Sequence, residues 1–224
     1  MAGYTLAQLR TKLSYYLDDN SLVRWPLAEQ NDYLNQAYLY YYNELINMGY
    51  AAVLTTPVLL NTTSGVETVP LPADFYKAKV LYKVLPTIKR PCRYREPYAT
   101  TVLLTGASSI YVPDYCFRGT NLVLNPVPSD TVTGSLELHY WPVLTLLVND
   151  SDTLVAGFSA EWQDMIPLRA ALQAKSLREE EDVANIANFL AVAEKPFNDM
   201  RDSMTMDRVR TDAFFTGQDE TYIY

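Results

Sequence analysis

Side chains that could do chemistry are few in this chain, and their spacing does not gather them. The single histidine, His139, lies on a strand-like stretch where it shares a face with Glu137 and Trp141. One imidazole excludes any zinc site that needs two histidines and most histidine-based acid–base catalysis. An edge or surface histidine is the simpler reading. Two cysteines, Cys92 and Cys116, fall on different candidate elements and read as reduced thiols rather than a bridge. Asp150-Ser151-Asp152 opens like a calcium loop, but Leu154 and Ala156 occupy the later ligand and glycine positions, so a solvated turn is expected. Glu179, Glu180, Glu181 and Asp182 are consecutive acids that point in different directions. Just before a helix they suit its dipole better than a metal. No phosphate-cradling glycine loop, nucleophile elbow or paired-cysteine motif is present. Carboxylate-pair hydrolysis stays formally open because acids are plentiful, although none are placed by sequence as partners. The expectation is a chain with no catalytic residues, no cofactor and no metal.

Charge and composition narrow the classes further. The chain has 224 residues, 49% hydrophobic and 20% charged, which suits one or two folded domains. No run approaches the roughly 20 apolar residues of a spanning helix. The N-terminus lacks a basic region followed by an apolar core, so no secretory signal is expected. Net charge is −8, against a free-standing DNA-binding role. Basic and acidic residues number 3 and 5 over 1–50, 8 and 6 over 51–148, and 7 and 15 over 149–224. The last third thus carries the negative excess. A basic stretch holds Lys77, Lys79, Lys83, Lys89, Arg90, Arg93 and Arg95, with no acid between 77 and 95. It reads as a solvated strand face or blunted edge, with Lys77, Lys79 and Lys83 on one side. Protein contact and DNA contact are its alternatives. Eighteen tyrosines supply contact area with a polar tip, for interfaces or for half-wet core edges.

The elements that must position these groups begin with a capping box, Thr5-Leu6-Ala7-Gln8, and an apolar face of Leu6, Leu9, Leu13 and Leu17. Trp25-Pro26 then opens a long helix ended by Gly49. Its stripe of Leu27, Gln30, Leu34, Ala37, Tyr41, Leu45 and Met48 has one polar gap. Tyr38, Tyr40 and Tyr42 point to other faces, so this helix needs several neighbours, and subunit contacts are expected. From Ala52 the pattern turns β-like. Val53–Leu60 and Val66–Pro70 read as a hairpin about Asn61–Gly65, and Ser109–Arg118 with Asn121–Asn125 as a second. Lys77–Leu85 and Gly134–Trp141 read as strands, Pro70–Phe75 as a tight turn or short 3₁₀ piece, and Pro86–Pro97 as a loop with a short helix after Glu96. Helix resumes at Ser159, with a kink or restart at Pro167. A final helix carries Val183, Ile186, Leu190, Ala193, Phe197, Met200 and Met204 at alternating spacings of three and four. Residues 205–224 leave that pattern, and Phe214, Phe215, Tyr222 and Tyr224 read as apolar anchors on a polar tail, with a disordered tail carrying incidental aromatics as the alternative.

A resemblance joins these pieces. Arg24-Trp25 before the long helix, Tyr33-Leu34-Asn35-Gln36-Ala37 within it, the turn Leu71-Pro72-Ala73-Asp74-Phe75, the strand Leu138-His139-Tyr140-Trp141-Pro142 and the two helices after Phe158 follow one another in order. Together they resemble the head-to-tail adaptor (connector) proteins of tailed bacteriophages, most closely those of short-tailed, podovirus-type phages. The resemblance implies an α+β fold, with an antiparallel helical bundle from the N- and C-terminal helices, a central antiparallel β insertion and an extended C-terminal tail. It implies domains at 1–51, 52–148 and 149–204, and the tail at 205–224. It implies a virion neck protein assembled in the host cytoplasm. That protein would form a homo-oligomeric ring, a dodecamer, between the portal protein and the tail nozzle or tube. DNA passes through without specific binding, and no membrane is involved. On that expectation Phe214, Phe215, Tyr222 and Tyr224 bind the portal. Tyr38, Tyr40, Tyr42 and Trp162 pack subunits or core, and Glu179, Glu180, Glu181 and Asp182 line the channel. A tail-associated cell-wall glycosidase and a soluble protein-binding module are the alternatives.

Overall fold

The computed structural model describes residues 3–19, 23–96, 112–155, 157–178 and 183–216, the last twelve of these as helical backbone alone. The fold is α+β and divides into two compact units. Residues 1–53 and 144–224 make a helical unit, and 54–143 make a β unit between them in sequence.

In the helical unit, α1 (Leu6–Leu17) starts with the capping box: the Thr5 hydroxyl accepts from the Gln8 amide, and the Gln8 side chain accepts from the Thr5 amide. Its face of Leu6, Leu9, Leu13 and Leu17 is buried. The second helix, α2 (Leu27–Met48), ends at Gly49, whose φ of 76° is the left-handed stop a glycine adopts without strain. A 3₁₀ turn at Ala160–Trp162 precedes α3 (Met165–Leu177). The helix proper begins late, so Pro167 sits in its first turn, where a missing N–H breaks no internal bond. That is a restart rather than a kink, and Ser159 makes no side-chain cap. The central packing element is α3, which meets α1, α2 and α4. The last helix, α4 (Val183–Thr216), continues through Pro196. It also runs past Met204, where the apolar pattern ends, so residues 205–216 are helix rather than extended tail. No glycine or proline intervenes between Pro196 and Gly217, and nothing local stops the propagation.

Among the described residues the β unit holds two four-stranded sheets, ordered β1-β8-β3-β4 and β2-β7-β6-β5. The strands are β1 (Val58–Thr62), β2 (Thr68–Pro70), β3 (Phe75–Val84), β4 (Lys89–Pro91), β5 (Arg93–Tyr94), β6 (Asp114–Arg118), β7 (Asn121–Asn125) and β8 (Val132–Pro142). Both sheets contribute to one core of Leu60, Val69, Leu81, Tyr115, Leu122, Leu124, Leu136, Leu138 and Tyr140, a sandwich arrangement. Among the described residues pairing is antiparallel except for the short parallel contact of β5 with β6.

Three sequence expectations change here. The first hairpin does not form: β1 pairs with β8 and β2 with β7, in different sheets. Ser64 and Gly65 instead bond to the 128–131 segment, so the turn is a corner at which the chain changes sheets. The expected loop after Pro86 holds β4 and β5, and the chain changes sheets again at buried Cys92, whose amide donates to the Leu81 carbonyl at 2.8 Å. Finally, Lys77, Lys79 and Lys83 do not share a face. Irregularities in the β3–β8 register at Phe75/Lys77 and Ala78/Val80 shift the alternation by one. Lys77 lies opposite Trp141, whereas Lys83 lies opposite Leu136 on the core face and is buried. Burial lowers the Lys83 ammonium below its ordinary pKa. The second hairpin does form, as β6–β7 about Gly119.

Candidate functional site

Residues that carry the recognisable motifs turn out to be locks between elements of the same unit. Asp19 closes the loop ahead of α2, its carboxylate accepting from the amides of Arg24 (2.9 Å) and Trp25 (2.8 Å). Trp25 is fully buried and lies under the Arg178 guanidinium, 3.8 Å from the ring centroid. Arg178, just beyond α3, also donates to the Arg24 carbonyl and to Glu29, each at 2.9 Å. The Arg-Trp start of α2 is thereby fastened to the end of α3.

Gln30, the polar gap in the α2 stripe, is fully buried. Its amide donates to the Trp25 carbonyl at 3.0 Å and its oxygen accepts from Ser14 of α1 at 3.2 Å. Asn35 pairs like a peptide unit with Leu147: its Nδ2 donates to the carbonyl (3.0 Å) and its Oδ1 accepts from the amide (2.9 Å). The Val155 amide donates to the Tyr38 hydroxyl at 2.8 Å, and burial pushes that phenol up to about 12. The Tyr41 hydroxyl donates to Glu194 of α4, and burial with this carboxylate raises its pKa as well. In the β unit, the Pro72–Phe75 turn closes through the Phe75 amide to the Pro72 carbonyl at 3.0 Å, and Asp74 accepts from the Tyr140 hydroxyl at 2.8 Å.

Among the residues predicted to pack subunits or core, Tyr38, Tyr42 and Trp162 are buried in the chain's own helical unit. Tyr38 meets Phe158, and Trp162 meets Tyr50 and Phe197. Tyr40 is 40% exposed and carries the Arg169 guanidinium 3.4 Å over its ring. The predicted anchors Phe214 and Phe215 fall on the backbone of α4, with side chains outside the description. Tyr222, Tyr224, Glu179, Glu180, Glu181 and Asp182 lie outside the described residues, as does the short helix expected after Glu96.

Where chemistry was sought, ordinary structural pairing appears. Glu137 accepts from Lys89 (2.5 Å) and bonds His139 Nε2 (2.9 Å), and these contacts hold its carboxyl below the usual range. Asp152 accepts from the Val148 and Asn149 amides at 2.8 Å, which lowers its pKa, while Asp150 pairs with Arg10. Cys92 and Cys116 are buried free thiols, and burial pushes Cys92 up to about 12. No group of three or more His, Cys, Asp or Glu residues among those described could hold a metal. Nor is any described helix long and apolar enough to cross a membrane. Of the basic stretch, Lys89 and Arg95 are paired, the latter with Asp114 at 2.6 Å, and Lys79 stands 5.9 Å over Trp141.

Sequence reasoning missed Arg178, Ser14 and Asp19, because each acts on a partner whose proximity only the fold reveals. What the helical unit offers the outside is surface: exposed apolar side chains on α4, at Tyr15, and around Leu146 and Val148.

The family model described as SU10 adaptor protein matches residues 4–221. The chain belongs to this family, and is a head-to-tail adaptor protein of tailed bacteriophages, a structural class. No curated relative matches the sequence.

Proposed function

We infer that the protein is the adaptor ring of the virion neck, seated between the portal vertex and the tail nozzle of a short-tailed phage and forming part of the DNA exit channel. The observation that carries this reading is the family match over nearly the whole chain. It is supported by the motif residues, whose roles in the helical unit are to fasten helices. The ring contains several copies, twelve on the resemblance to the family. Its mechanism is geometric: neighbouring helical units build a wall, and the segment after Met204 clamps the portal through Phe214, Phe215, Tyr222 and Tyr224. The β unit meets the tail. The C-terminal third carries 15 acids against 7 basic residues, and Glu179, Glu180, Glu181 and Asp182 turned toward the lumen would keep DNA from adhering as it leaves.

The test is solution mass of the full chain alone and mixed with portal rings of the same phage, repeated with chains ending at Thr216 and at Met204. Co-migration lost only at Met204 assigns the clamp to Phe214 and Phe215, and loss already at Thr216 assigns it to Tyr222 and Tyr224. A full chain that never associates with portal rings refutes the reading.

A further inference from the structure

Two features of the helical unit are left open on different helices. The first is a ridge on α4. Ile186, Leu190 and Phe197 bury one face of this helix, yet Phe189 is 62% and Val192 75% exposed. Spacing of three and four places Asn185, Phe189, Val192, Lys195 and Pro196 on one outward stripe, all of them exposed. The apolar centre of that stripe is Phe189 with Val192, and its ends are polar or proline. The second feature is a groove of about 330 Å³ bordered by Ala7, Arg10, Thr11, Ser14, Leu27 and Asp150, with buried Gln30 in its wall. Ridge and groove cannot easily serve each other within one copy. Both α1 and α4 pack on α3 and make at most marginal contact with each other.

We propose that the α4 ridge of one copy seats in the α1–α2 groove of the next, so that Phe189 and Val192 are the central anchors of a head-to-tail contact between subunits. This rests on the adaptor-ring reading and names the surfaces that would build its wall.

Charge agrees with this occupant. Lys195 is the cation on the ridge, and Asp150, the acid on the groove's lip, pairs with Arg10 yet keeps a side chain 77% exposed and open to a second cation. Lys195 shared onto that exposed carboxylate would fix orientation, and a second ridge offers it no such acid. The groove also holds the Arg10 guanidinium, 14% exposed, whose Nε is buried without a hydrogen-bond acceptor. A planar cation of this kind gains from an aromatic face laid over it. Two arginines of the same unit already make such contacts, Arg169 on Tyr40 and Arg178 on Trp25, and Phe189 would supply one to a third arginine across the interface. Because ridge and groove differ, the contact is heterologous and propagates from copy to copy until the rotation closes.

The experiment uses full-length chains on portal rings, with wild-type co-migration as the control for the adaptor reading itself. Thr11→Cys and Val192→Cys are both at exposed positions, and the native cysteines are buried. Under mild oxidation, a mixture of the two single variants is expected to give disulfide-linked pairs containing one of each, and the double variant a ladder of covalent multimers. Phe189→Glu is expected to weaken copy-to-copy association by about tenfold or more, as for a central apolar anchor, with an unchanged melting temperature. Portal-bound assemblies that form normally with Phe189→Glu and yield no mixed disulfide overturn the interface while leaving the adaptor reading standing. Like-with-like disulfides from either single variant overturn its head-to-tail sense. Wild-type chains that neither join the portal nor each other overturn both.

Discussion

Removing Asn35 tests whether the motif at the centre of α2 is architectural. Its amide satisfies both backbone groups of Leu147, a residue only 3% exposed. Asn35→Ala deletes two hydrogen bonds and leaves a buried N–H and C=O unpaired; at roughly 1–1.5 kcal/mol each the loss is about 2–3 kcal/mol. For a unit of this size that lowers Tm by about 10 °C, followed by helical circular dichroism. Asn35→Asp sharpens the test. Its carboxylate can accept from the Leu147 amide, but the other oxygen faces the Leu147 carbonyl where a donor stood at 3.0 Å. Only the protonated acid can donate there. Its folded pKa is therefore raised above the unfolded value of about 3.9. The sign follows: the stabilising protonated form is fully present below that value and is lost as pH rises through the folded pKa. The Asp variant should match or fall below the Ala variant at pH 7, then gain on it steadily under acidification. An Ala variant melting within about 2 °C of wild type, or an Asp-minus-Ala difference flat between pH 7 and 4, refutes the reasoning.

Other consequences follow from single contacts. Arg178→Lys keeps the charge but loses the planar stack on Trp25 and the forked donation to Arg24 and Glu29, and should cost about 1–2 kcal/mol in urea unfolding. Glu137, held below the usual carboxylate range by Lys89 and His139, adds stability above its unfolded pKa and loses it as pH falls through the lowered folded value. Glu137→Gln should flatten the acid limb of the stability–pH curve at a neutral-pH cost below about 1 kcal/mol. Cys92, with its thiol pushed up to about 12, should resist a thiol reagent at pH 8 in the native protein and react on denaturation. A Cβ on Gly157 would lie 2.2 Å from Val53 Cγ1 and 3.0 Å from the Ala52 backbone, so Gly157→Ala should lower stability by about 1–3 kcal/mol in thermal melts.

What could be read from the sequence is what local chemistry determines. The Thr5–Gln8 box, the Gly49 stop and the leucine face of α1 depend on neighbours within four residues, and the structure holds all three. The strands β3 and β8 were visible for the same reason. The errors arise wherever a distant partner decides. Alternation assigns Lys83 to the wet face of β3, yet register irregularities against β8 turn it onto the core beside Leu81. Asn61–Gly65 has every residue a hairpin turn asks for, but turn chemistry says only that the chain reverses, not which sheet it rejoins. Leu60 and Val69 enter the same core from different sheets, and that shared burial selects the corner. Gln30 shows the limit from the other side. Its polar position in the stripe was plain, but the partner that makes burial tolerable, Ser14, lies on another helix. The stretches that bear most directly on the neck, 179–182 and the aromatic tail, take their expected roles from charge, pattern and family likeness. Exposed α4 residues Phe189 and Val192 carry no motif, and their meaning appears only once Ile186, Leu190 and Phe197 are seen to occupy the opposite face.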